Sequence, residues 1–79
     1  MNHRKRALRV LARSPVAALF LMSLDVREST DCTIPTVAVD KDGVFYVNSN
    51  WAAIVPDQTY VAVLSDVFGQ WDAVRRKAA

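Results

Sequence analysis

The sequence predicts an α+β domain: helices on the N-terminal side, a small antiparallel β-hairpin, and a long amphipathic C-terminal helix. Three observations carry this. Tyr60, Val61, Leu64, Val67, Phe68, Trp71 and Val74 fall on one apolar helical stripe. Thr33-Ile34-Pro35-Thr36-Val37-Ala38-Val39 and Val44-Phe45-Tyr46-Val47 are rich in β-branched and aromatic residues, and Asp40-Lys41-Asp42-Gly43 between them has turn chemistry. Ser14-Pro15 is a cap-then-proline pair dividing a basic segment from an apolar one. A chain of 79 residues with 52% hydrophobic content suits one domain over 1–79, with a thin core.

In chain order, residues 3–13 read as a helix in which Arg6, Arg9 and Arg13 return at three- and four-residue spacing on one face. A second helix runs from Pro15 to about Ser23 and is apolar nearly all round, as expected of a segment buried on most sides. Val26 and its neighbours can add a third short strand. The hairpin occupies 30–48, with Pro35 at a strand start or an edge because it has no N–H to donate. Gly43 is free to take positive φ in its turn. Asn48-Ser49-Asn50 caps a short helix through Ile54, and Pro56-Asp57 opens the last helix with a proline and a carboxylate that complements the helix dipole. Arg75-Arg76-Lys77 suits its last turn. Gly69 inside that helix suggests close packing or a bend. Leu19, Phe20, Leu24, Val37, Val39, Phe45, Leu64, Phe68 and Trp71 are expected at the centre.

Charge is segregated. Net charge is +2, yet Arg4, Lys5, Arg6, Arg9 and Arg13 crowd the start and Arg75, Arg76 and Lys77 the end. All eight acids lie between, against only Arg27 and Lys41. Such a field bears on partner choice and encounter rate. The five N-terminal cations are the main candidate site, suited to phosphate or to carboxylates of a protein partner. Asp25, Glu28, Asp31, Asp40 and Asp42 can form an acidic face that imitates a nucleic-acid backbone. Trp51, in the short helix beside a turn, is the aromatic expected to be exposed for contact. Solvation alone also accounts for each of these charges, and the basic segment adjoining an apolar one is compatible with a membrane surface.

Several classes are disfavoured. The apolar stretch from Pro15 to Met22 is too short to span a bilayer, which needs roughly 20 residues. As a signal peptide it has Arg9 and Arg13 set too far inward and a poor cleavage site at Met22-Ser23-Leu24-Asp25. Cys32 is the single cysteine, so no internal disulfide can form, and a reducing, cytoplasmic setting is the simplest expectation. Without a basic neighbour in sequence its thiol is expected to be inert. One cysteine and one histidine cannot fill the three or four positions of a usual zinc site. His3 is expected to be a solvent-exposed bystander. Asp66 and Gln70 offer oxygen at i, i+4, too few for a hard cation, and read as the solvated face of a helix. No catalytic or metal-ligating set and no cofactor are expected.

Arg6-Ala7-Leu8-Arg9-Val10-Leu11-Ala12-Arg13-Ser14-Pro15, Pro35-Thr36-Val37-Ala38-Val39-Asp40, Val44-Phe45-Tyr46-Val47-Asn48 and Val61-Ala62-Val63-Leu64-Ser65 together resemble a known arrangement. It is the N-terminal part of the metallopeptidase domain found beside von Willebrand factor A-like domains in bacteria and phages. The resemblance implies a zincin-like fragment with helices packed on a small sheet. That family's last helix carries histidine-glutamate-x-x-histidine, two imidazoles on one face for zinc and a carboxylate to activate water. Here Asp66 and Gln70 fall at the histidine places and Val67 at the glutamate, so no catalytic or metal role carries over.

The expectation is therefore a non-enzymatic interaction protein of the phage or mobile-element kind. It would be an anti-CRISPR-like inhibitor that binds a protein or nucleoprotein complex and competes with nucleic acid by steric and electrostatic blocking. The alternative is a small nucleic-acid-binding protein using the arginine-rich N-terminal helix directly.

Overall fold

In the computed structural model, which describes residues 3–31 and 33–78, a serine and a proline separate the first two helices, α1 (His3–Leu11) and α2 (Pro15–Ser23). Ser14 is the N-cap of α2, its Oγ accepting from the Ala17 N–H at 3.3 Å, and Pro15 takes the first helical position. Helix α1 ends two residues before the expected Arg13, because the Arg13 and Ser14 N–H groups both turn back to the Val10 carbonyl, at 3.0 and 2.9 Å. The chain continues as β1 (Asp25–Ser29), β2 (Val37–Val39), β3 (Val44–Asn48), α3 (Ser49–Ile54) and α4 (Asp57–Ala78), an α+β arrangement.

The sheet is mixed: the expected antiparallel hairpin is joined by a third strand that runs parallel to β3. β2 and β3 form the hairpin, pairing Val37 with Val47 and Val39 with Phe45. β1 lies on the other side of β3 and runs parallel to it, from Asp25 opposite Val44 to Ser29 opposite Asn48. β1 ends and β2 begins at the same end of β3, with Ser29 opposite Asn48 and Val37 opposite Val47, so β1 and β2 flank it in opposite directions. Both edges are blunted: β1 carries Arg27 and Glu28, and β2 is three residues long and follows Pro35. In the hairpin turn Gly43 has φ +83°, and Asp40 Oδ1 accepts from the Asp42 and Val44 N–H groups at 2.9 and 3.0 Å.

One face of the sheet presents Val26, Val37, Val39, Phe45 and Val47 to the helices; the other carries Asp25, Arg27, Ala38 and Tyr46, none of which joins the core. Ala7, Ala18, Leu21, Phe45, Val47, Ala52, Tyr60 and Leu64 are essentially fully buried. Phe68 links the layers, with ring centroids 5.4 Å from Phe20, 6.5 Å from Phe45 and 5.9 Å from Trp71, within the range of favourable aromatic pairs.

The centre differs from the expected one. Leu19 is 66% exposed rather than central, and Phe20, Leu24, Val37, Val39, Phe68 and Trp71 are half-buried. The reason is geometric. α2 packs by one side only, burying Ala18 and Leu21, and its uniformly apolar composition does not reveal which side. Small residues, Ala7, Ala18 and Ala52, fill the crowded helix contacts instead. The stripe of α4 is buried at Tyr60 and Leu64 and half-buried through Trp71, whose indole lies against Gly43; Val74, one turn on, is exposed. Among the described residues no helix is long and apolar enough to cross a membrane.

The two glycines differ in what they allow. A Cβ at Gly69 would meet nothing within 4 Å, so close packing does not explain it, and α4 runs through it unbroken. Gly69→Ala should therefore stabilise by about 0.5–1 kcal/mol, raising the melting temperature by several degrees. A Cβ at Gly43 would need positive φ and would lie 3.1 Å from the Trp71 ring. Gly43→Ala should cost about 1–3 kcal/mol in the same thermal melts.

Candidate functional site

Arg6, the first cation to test as a binding residue, is buried, at 6% exposure. Its Nη1 donates to the Ala52 carbonyl at 2.8 Å and its Nη2 to the Val55 carbonyl, both at the C-terminal end of α3. Sequence explains why the Ala52 oxygen is open. The residue four beyond Ala52 is Pro56, which has no N–H to continue a helical ladder. Arg6 Nε donates to Asp57 Oδ1 at 2.8 Å, at the first position of α4, and the guanidinium lies 4.5 Å from the Tyr60 ring centroid. One side chain thus fastens α1 to the corner between α3 and α4.

Arg9, one turn on, donates from Nε to Asp57 Oδ2 and from Nη2 to Oδ1, each at 2.9 Å. The Arg9 hydrogen bonds, then Arg6, hold the Asp57 carboxyl below the usual carboxylate range against the opposing effect of burial. His3 is a structural bridge rather than the expected bystander. Its Nε2 donates to the Leu21 carbonyl at 2.7 Å, which only accepts, so in the neutral ring Nδ1 accepts from the Tyr60 hydroxyl at 2.6 Å. Burial pushes that hydroxyl up to about 12, so it keeps its proton. Trp51, expected to be exposed, is half-buried and stacks on Tyr60 with centroids 6.0 Å apart.

The predicted basic site is therefore divided. Arg6 and Arg9 serve the fold, while Arg4, Lys5 and Arg13 are exposed. Arg13 stands at an open groove of about 610 Å³ between α1, α2 and the start of α4, lined by Arg9, Val10, Arg13, Ser14, Ala17, Asp57, Gln58 and Val61. Next to it the helical hairpin is apolar on its outside. Among the described residues, five of the seven exposed large hydrophobic side chains lie here: Leu8, Leu11, Val16, Leu19 and Met22.

The acidic residues are not gathered on one face. Asp25 pairs with Arg27 at 3.3 Å on the outer side of the sheet, where Asp40 accepts from the Tyr46 hydroxyl, also at 3.3 Å. Glu28 shares the inward register with Val47, and its charge acts on Tyr60. Asp31 accepts from the N–H and hydroxyl of Thr33, and Asp42 is exposed in the hairpin turn. Backbone hydrogen bonds hold the Asp31 and Asp40 carboxyls low, so both stay charged. Asp66 and Gln70 are exposed and bond to each other at 3.3 Å. Among the described residues no group of three His, Cys, Asp or Glu side chains is placed to hold a metal ion. Cys32 lies outside the described residues.

Comparison of the chain with protein-family models, with curated proteins and with solved structures gives no match in any of the three.

The Arg6 clamp carries two expectations for urea denaturation. Arg6→Met should cost about 3–5 kcal/mol, since it strands two carbonyls and half of an ion pair, whereas Arg9→Ala at the solvent-exposed side should shift the urea midpoint far less. The depressed Asp57 carboxyl stabilises the fold fully above its unfolded value near pH ~4, and that stabilisation is lost as pH falls through its lower folded value. Asp57→Asn should lower stability at neutral pH and make its decline below about pH 4 shallower.

Proposed function

We propose that the protein is a non-enzymatic interaction protein, an inhibitor of the phage or mobile-element, anti-CRISPR-like kind. It docks on a protein or nucleoprotein complex and excludes nucleic acid. One observation carries the reading. The α1–α2 hairpin leaves Leu8, Leu11, Val16, Leu19 and Met22 exposed beside Arg4, Lys5 and Arg13, and residues 1–24 contain no acid. Exposed aliphatic side chains rimmed by cations suit an apolar protein surface bearing carboxylates, where arginine pairs in bidentate fashion. Aliphatic side chains would gain little from nucleic acid, which favours aromatic stacking and cations.

On this reading the hairpin supplies attachment and the rest of the molecule supplies the obstruction. Asp25 and Asp40 on the outer sheet face and Asp42 in its turn repel an approaching phosphate backbone, a steric and electrostatic block. The resemblance to a metallopeptidase fragment fits a chain that has lost its chemistry. Asp66 and Gln70 stand at the histidine places and bond to each other on the helix surface. The cytoplasm, where such complexes work, is the proposed location.

Capture of tagged protein from host lysate, with and without nuclease, tests the reading. A nuclease-resistant partner should be retained, released by added oligonucleotide, and lost on Leu19→Glu or on joint Arg4→Glu and Arg13→Glu, all at exposed positions. Filter binding of the isolated protein to oligonucleotides should be negligible near ~150 mM salt. Tight binding with a steep salt slope would instead establish the alternative, a nucleic-acid-binding protein working through Arg4, Lys5 and Arg13.

A further inference from the structure

We infer that the groove between α1, α2 and α4 is a binding site for a small aliphatic carboxylate, a ligand with an apolar body and one anionic head. This goes beyond the docking role of the hairpin and does not depend on it. Its volume of about 610 Å³ falls within the range of ligand pockets, roughly 300–1,000 Å³. Val10, Ala17 and Val61, all half-buried, make an aliphatic lining, and the polar groups are Arg13, Ser14, Gln58 and the Arg9–Asp57 pair.

Charge selects the head group. Asp57 is the one acid lining the groove, and both of its oxygens already accept from Arg6 and Arg9. Among the described residues Arg13 has no side-chain partner, so its guanidinium is the open fork, matched to a carboxylate. Ser14 Oγ accepts from the Ala17 N–H, which leaves its O–H, with the Gln58 amide, as a further donor to the head group. A cationic ligand would meet Arg9 and Arg13 with no unpaired carboxylate to receive it. A neutral one would gain nothing from the Arg13 fork. A compact inorganic anion would leave the aliphatic lining wet. Only an anion with an apolar body satisfies both halves of the groove.

The test is an amide chemical-shift titration of the intact chain with decanoate, decanol and decyltrimethylammonium, each below its micelle concentration. Decanoate should give saturable shifts centred on Val10, Ala17, Gln58 and Val61, and the other two much weaker ones. Arg13→Gln should weaken decanoate about tenfold or more, and Arg13→Lys, which keeps the charge but not the fork, should fall between. Because Arg13 is exposed, both variants should keep the wild-type circular dichroism. Equal shifts from decanol, shifts centred on Leu19 and Met22, no saturable shift from decanoate, or an unchanged affinity in Arg13→Gln would each overturn the assignment. Those results concern the groove alone, so capture of a macromolecular partner by the hairpin is decided separately.

Discussion

A buried guanidinium holds this domain together. Arg6 is nearly without solvent, and a charge so placed is tolerated only when its donors are met. They are met by the Asp57 carboxylate and by the carbonyls of Ala52 and Val55. The need is mutual. The end of α3 has a carbonyl, that of Ala52, which the proline-interrupted chain cannot satisfy, and α4 begins with a carboxylate that favours a cation near it. Arginine answers both because its planar fork offers donors in several directions; lysine, a compact point charge, could not reach three acceptors on two elements at once. A chain of 79 residues has a thin apolar core, so fixing the angle between helices by directed polar contacts matters more here than in a larger domain.

Around that clamp sits Tyr60, the largest fully buried side chain. Arg6 covers its ring, Trp51 stacks on it, and His3 accepts from its hydroxyl. His3 also reaches the last full turn of α2 through the Leu21 carbonyl. Two residues in α1, three apart and therefore on one face, thus tie this helix to α2, α3 and α4. The sheet joins by a different route, through the aliphatic inner face and the Phe68 rings. The fold therefore has a polar node at one end and an aromatic seam at the other, and α4 passes through both.

Period and punctuation were legible in the sequence. The α4 stripe, the Ser14-Pro15 start, the Asn48 cap and the Gly43 turn each follow from a local rule, and each stands in the structure. What a local rule cannot supply is direction across space. The strand at Val26 was legible as a strand, but not its parallel pairing, since that depends on which side of β3 it lies. α2 offered no polar side to orient it, so Leu19 read as core although it faces outward. The arginines of α1 read as one basic face, whereas helical spacing alone could not tell that Arg6 turns inward. Pro56 held the missing signal. A helix end followed by proline leaves a carbonyl unclaimed, and a nearby chain rich in arginine is a natural donor to it. His3 and Trp51 were judged by their sequence neighbours, but their partners lie on α2 and α4.

The clamp also sets the surface field of the N-terminal hairpin. Residues 1–24 bring no acid of their own, so Arg6 and Arg9 must find their carboxylate elsewhere in the chain. With it, Arg6 and Arg9 are drawn to one carboxylate at the start of α4, where negative charge also complements the helix dipole. Three charges are thereby reduced to a net +1 directed toward the interior and the groove wall. Arg4 and Arg13 stay unengaged on either side, next to aliphatic side chains that α2 cannot bury. Folding thus divides these cations by reach: Arg6 and Arg9 meet Asp57 and become structure, while Arg4 and Arg13 lie beyond it at exposed positions. A surface formed in this way is rigid beneath and charged at its rim, since Arg13 sits in the turn that leaves α1, the helix Arg6 anchors, with its N–H on the Val10 carbonyl. Pre-organisation of this kind lowers the entropic cost of meeting a carboxylate, whether that carboxylate belongs to a partner protein or to a ligand seated in the groove.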